Sequence, residues 1–286
     1  MTTKMISRHR LAAKHTLPTR NRLLNTYWRL HNTHPHDLLP LESTLPVELQ
    51  PKSRDQYRTI MTMILSPGTA DKRLSVCLGR LFRTHPDFDT CTDLDRDQLQ
   101  LLLGPIKNGG IGLGDPRGGN TDRLWAVLSC YFGPWKDTLV PENTRGLLRK
   151  EGFGPETLRL LDAYCWGNRD VLPLNRAAFN ALVKRGLYEQ HGDIDVARAD
   201  VESKLAGEED VVLIDFHEML RFRDLYDSKS ESEQKNVVIG WNAWRLLCSV
   251  EWEWIREDWR WINEHLVKDE DIAQELWRFF RKIADP

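Results

Sequence analysis

Residues 140–175 read V-P-E-N-T-R-G-L-L-R-K-E-G-F-G-P-E-T-L-R-L-L-D-A-Y-C-W-G-N-R-D-V-L-P-L-N. Two apolar-periodic runs flank Glu151–Gly152–Phe153–Gly154, so the spacing predicts helix, tight hairpin, helix. Glycines two apart permit a turn with positive φ. Pro155 is a favoured first-turn residue and predicts the start of the second helix there. The free N–H groups at such a start make a seat for a phosphate, a grip on a nucleic-acid backbone that ignores sequence. The same four residues equally describe an ordinary αα-hairpin with glycine at a helix end.

Outward from this stretch the pattern is helical almost throughout. Helices are predicted over Arg20–His31, Asp55–Leu65, Ala70–Arg83, Leu94–Leu103, Thr121–Phe132, Pro141–Lys150, Pro155–Cys165 and Ala177–Arg185. Leu38–Lys52 is Pro-rich and Asn108–Asn120 is Gly-rich, so both are read as irregular. The longest strand candidate is Asp210–Ile214, and there is no internal repeat. Seven of the eleven tryptophans lie between Trp241 and Trp277. Trp252, Ile255, Trp259 and Ile262 share one helical stripe, and Trp254 and Trp261 share another. An apolar surface on two sides predicts a sandwiched helix. The acidic residues between the rings argue against a base-stacking ladder.

Charge is uneven although the net value is −2. Residues 1–150 hold 22 Lys and Arg against 14 Asp and Glu, and residues 151–286 hold 18 against 28. A basic half attracts a polyanion and an acidic half turns away from one; two solvated mixed surfaces account for the same numbers. The first 36 residues carry no acid, which suits a basic arm, a polar lead-in to the first helix or, last in rank, an organellar leader. No apolar run approaches the roughly 20 residues that span a bilayer, so a soluble protein without a membrane partner is expected, cytoplasmic or in the nucleoid or nucleus. The five cysteines include no C-x-x-C pair, so neither a zinc site nor a disulfide framework is expected. His217–Glu218 opens an H-E-x-x pattern that fails at Arg221. Gly110, Gly112 and Gly114 do not form a dinucleotide fingerprint.

The surroundings of the hairpin resemble the endonuclease III-like, helix-hairpin-helix superfamily of DNA glycosylases. Val140–Pro141–Glu142 is similar to its V-P-E opening, Gly152–Phe153–Gly154 to its G-V-G hairpin, and Thr157 also matches. Trp166–Gly167 resembles the F-G after the second helix. Ile64–Leu65–Ser66–Pro67–Gly68–Thr69–Ala70–Asp71 resembles L-L-S-x-Q-T-x-D, and Ile106 and Gly110 fall at an Ile and a Gly of the family. The resemblance covers roughly residues 55–190. It implies an all-α endonuclease III-like helix-hairpin-helix glycosylase fold with a Trp-rich helical C-terminal extension. Three segments follow: a basic helix and Pro-rich lead-in (1–54), the glycosylase-like domain (55–190), and an acidic Trp-rich helical region packed on it (191–286).

The implied function is recognition or excision of a damaged or modified base in duplex DNA, with duplex DNA as partner, through base flipping. The enzyme reading is a monofunctional DNA N-glycosylase. The alternatives are a fold that has kept DNA binding and lost hydrolysis, and a helical protein–protein adaptor. Breaking an N-glycosidic bond builds positive charge on the sugar, which a nearby carboxylate stabilises. The family's Asp for this task falls on Asn175, in Val171–Leu172–Pro173–Leu174–Asn175, where Asp170 matches the first Asp of D-V-x-P-x-D. The lysine that gives some members Schiff-base chemistry falls on Glu156, so no strand cleavage by that route is expected. An amide carries no charge, which leaves Glu156, Asp162 and Asp170 as replacement carboxylates. Candidate DNA contacts are Gly152, Phe153, Gly154, Thr157, Lys107, Arg117, Arg176 and Gly68; the last stands where the family has its base-replacing Gln. Arg123 borders the Gly-rich loop beside Lys107 and Arg117. No cofactor is expected, and Cys248 alone in the C-terminal region rules out the family's four-cysteine iron–sulfur cluster.

Overall fold

The computed structural model describes residues 17–33, 56–65, 71–113, 119–132, 154–247, 259–265, 267 and 269–284. The predicted helix at 141–150, the hairpin residues Gly152 and Phe153, Gly68, Arg117 and the tryptophans at 252 and 254 lie outside these residues. The described chain is all-helical. The helices are α1 (Arg20–Asn32), α2 (Gln56–Leu65), α3 (Asp71–Thr84), α4 (Phe88–Thr92), α5 (Arg96–Leu103), α6 (Gly119–Phe132), α7 (Pro155–Tyr164), α8 (Arg176–Lys184), α9 (Ile194–Leu205), α10 (Leu213–Tyr226), α11 (Glu231–Leu247), α12 (Trp259–His265) and α13 (Glu270–Ala284).

Local chemistry sets several helix starts. Asp95 closes a capping box on α5: its Oδ1 accepts the Gln98 N–H at 2.8 Å, and Gln98 Oε1 accepts the Asp95 N–H at 2.8 Å. Asp87 and Thr90 do the same for the five-residue α4, which the hydrophobic pattern is too short to reveal. The Asp210–Ile214 run is not a strand. Val211 is buried in a coil, and Leu213 opens α10.

The helices divide between two apolar clusters. One gathers α2, α3, α5, α6 and α7 with Val238, Ile239, Ala243, Leu246 and Leu247 of α11, Ile262 of α12 and the Ile272, Ala273, Leu276 and Phe280 stripe of α13. The other gathers Leu23, Tyr27 and Leu30 of α1, Leu172 and Leu174, and the inner faces of α8, α9 and α10. Helix α1 joins α8–α10, and the last three helices join α2–α7. Helix α10 serves both clusters, with Ile214 and Phe222 in the first and Leu213, Phe216, Met219 and Leu220 in the second. All eight residues from Leu213 to Leu220 are buried, as a helix between two cores requires.

The Gly-rich stretch is packed rather than loose over its described part. Ile111 donates to Leu102 O at 2.8 Å, Gly112 donates to Gly104 O at 2.8 Å, and Ile111 and Leu113 are buried. A Cβ on Gly110 would stand 2.3 Å from Gly104 O, so this backbone approach needs glycine.

Candidate functional site

The segment 172–175 carries the chain from α7 to α8. Leu172 and Leu174 bury their side chains in the second cluster. Asn175 is the N-cap of α8; its Oδ1 accepts the Ala178 N–H at 2.9 Å. Gly154 is the N-cap of α7 and supplies no side-chain bond, so the first turn with Glu156 and Thr157 has no side-chain cap. Two helix N-termini thus open in this part of the fold, each with a partial positive charge.

Glu156 is exposed as a residue, but its carboxyl group is partly covered. That burial pushes it above the ordinary carboxylate range, Arg198 and then Arg176 oppose the rise, and Asp195 adds to it. The same interactions place Arg176, the residue after Asn175, and Arg198 and Asp195 of α9 around the first turn of α7. Arg198 ion-pairs with Asp195 and donates from Nη2 to Leu174 O at 3.1 Å. Arg176 is exposed, with its guanidinium 5.6 Å from the centre of the Phe179 ring.

Of the sequence-derived candidates, Gly154, Glu156 and Thr157 stand at the start of α7 and Asn175 and Arg176 at the start of α8, a corner linked by the charge of Arg176 acting on Glu156. Asp170 does not point to it: its Oδ1 accepts the Gly207 N–H at 2.9 Å and ties down the loop after α9. Asp162 is buried within α7, a full turn and more beyond Glu156. Lys107 is exposed in the 3-10 turn after α5, beside the packed glycine loop. Gly154 has φ −67° and ψ 160°, so any residue could adopt its backbone, and a Cβ there would meet no atom within 4 Å. The positive φ read from sequence for the hairpin glycines does not hold at this one.

Sequence reasoning missed Arg198, Asp195 and Glu202 of α9. Their only local sign is a charged face on a helix, and nothing local says which neighbour that face meets. His217 is fully buried, which drives its imidazole down to about 3, with Arg221 lowering it further. Among the described residues no group of His, Cys, Asp and Glu is arranged to hold a metal ion, and no helix is long and apolar enough to cross a membrane.

No family model matches the chain. Likewise, no curated protein and no solved structure matches it.

Proposed function

We propose that this protein binds duplex DNA at the corner where α7 and α8 begin, and recognises a damaged or modified base there, in the manner of a DNA glycosylase. One observation carries the reading. The first turn of α7, to which Gly154 lends no side-chain cap, carries Glu156, and the charge of the exposed Arg176 at the start of α8 acts on that carboxyl group. Backbone N–H groups at a helix start and a guanidinium suit a phosphate and carry no base preference of their own. Gly152 and Phe153, outside the described residues, would share the backbone contact by the sequence resemblance, and the location implied is wherever the cell keeps its DNA.

Chemistry at this corner rests on fewer groups than binding does. Asn175 spends its amide oxygen on the cap and has no charge to offer a developing oxocarbenium ion. Glu156 is the carboxylate at this corner whose protonation is perturbed. Base release, where it occurs, therefore runs through Glu156, and otherwise the protein is a binding module.

The test is duplex binding across a salt series, with and without an abasic-site analogue. Affinity falls steeply as salt rises if phosphates are neutralised; absence of binding, or binding indifferent to salt, overturns the reading. Single-turnover base release on a panel of modified bases then compares the wild type, Glu156→Gln and Asn175→Asp. Activity lost in Glu156→Gln assigns the chemistry to Glu156, and activity gained only in Asn175→Asp assigns the wild type to binding alone.

A further inference from the structure

We infer that α9 is a clamp that fixes the geometry of this corner, with Arg198 and Glu202 as its two positioning residues. The purpose of the clamp rests on the duplex-binding reading; its geometry does not.

Arg198 and Glu202 are one helical turn apart and share a face of α9. Both bond the segment between α7 and α8, and Glu202 also bonds α7. Glu202 Oε1 accepts the Leu172 N–H at 2.8 Å and ion-pairs with Arg159 of α7. Arg198 donates to Leu174 O at 3.1 Å and is the foremost charge acting on Glu156 of α7. The α7 residues they act on, Glu156 through the charge of Arg198 and Arg159 through the ion pair with Glu202, are about one turn apart. Those on the connecting segment flank Pro173, which has no N–H to offer. Within the segment the backbone bonds to itself from Leu174 N–H to Leu172 O, at 2.8 Å. The Leu172 N–H and the Leu174 carbonyl are met by one carboxylate and one guanidinium from α9.

This arrangement is costly for an ordinary core. Arg198 is 6% exposed, and its Nε has no hydrogen-bond partner among the described residues. Burying a guanidinium with one donor unmet costs more than an apolar side chain would. What it gives is a fixed distance and register between Asn175 and Glu156. Holding such groups to within fractions of an ångström requires support from surrounding hydrogen bonds. Like the segment it holds, the clamp is directional: a donor for the carbonyl, an acceptor for the N–H. Neither residue can replace the other.

Amide hydrogen exchange and carboxyl titration by NMR on the full chain test the clamp without DNA. In Arg198→Met and Glu202→Ala, exchange at Leu172 and at Ala178, the amide capped by Asn175, should quicken at least tenfold. Amides of α13 should be unchanged. Glu202→Gln keeps an acceptor for Leu172 and should restore protection there. The Glu156 titration, which Arg198, Arg176 and Asp195 surround, should move upward in Arg198→Met. Arg198→Lys keeps the charge but cannot span Asp195 and Leu174 O together, so titration should return toward the wild type while Ala178 exchange stays fast. That variant also decides the matter should Arg198→Met fail to fold. Slow, wild-type exchange at Leu172 and Ala178 in Arg198→Lys and Glu202→Ala overturns the clamp. With DNA, preference for an abasic-analogue duplex over an undamaged one should fall at least fivefold in Glu202→Ala. Exchange that responds as expected in a protein that binds no duplex keeps the clamp and removes the duplex reading. A lesion preference with unresponsive exchange does the reverse.

Discussion

The side chain of Asn175 accepts the backbone N–H of Ala178 at 2.9 Å. The residue that the family resemblance marks for chemistry is, in this chain, the cap of α8. Removing the cap should cost about 1 kcal/mol. Asn175→Ala is expected to lower Tm by about 2–4 °C, whereas Asn175→Asp, an equally good cap, should leave Tm nearly unchanged. Thermal unfolding followed by circular dichroism distinguishes the two. Equal losses in both variants would mean that the cap is not what Asn175 contributes.

Gly154 separates folding from binding. Its φ of −67° suits any residue and its surroundings are open. Gly154→Ala should therefore shift Tm by less than about 2 °C, because alanine trades a poorer cap for a stiffer unfolded chain. Duplex affinity should fall several-fold, since the methyl group stands where a phosphate would approach the α7 N–H groups. Full affinity in Gly154→Ala would move the DNA contact away from this helix start.

Gly110 behaves in the opposite way. A methyl group there would overlap Gly104 O, a backbone atom that has no rotamer to escape into. Gly110→Ala should cost on the order of 1–3 kcal/mol, read as a fall in the urea midpoint with an unchanged slope. A midpoint equal to that of the wild type would show that the glycine loop gives way readily.

His217 should write itself into the pH dependence of stability. Its folded value of about 3 lies below the ordinary 6.5 because burial disfavours the cation. The unfolded chain therefore takes up the proton first. Stability from this residue is complete above pH 6.5 and is lost as pH falls toward 3, by about 1.4 kcal/mol per pH unit at most. Urea unfolding at pH 7 and pH 5 should show a loss of about 2 kcal/mol that His217→Leu removes. Identical pH slopes in the two proteins would assign the acid sensitivity elsewhere.

The sequence by itself determined the helices and several of their ends. Apolar spacing placed α1, α2, α3, α5, α6, α7 and α8 to within two residues, and Pro155 marks a helix start by chemistry confined to one turn. It also named both residues, Glu156 and Asn175, on which the proposed chemistry turns. It misread the start of α10. A helix buried on two sides has no polar face, so Val211–Leu213 looks like any short apolar run. Tertiary structure alone decided that α1 packs with α8–α10, that α11 and α13 close over α3, and that Arg198 and Glu202 reach across to Leu174 and Leu172. Helical periodicity is written within i to i+4, and the clamp spans 24 and 30 residues. The backbone of Gly154 belongs to the same class: glycine permits a positive φ, but in the fold it caps α7 at φ −67°.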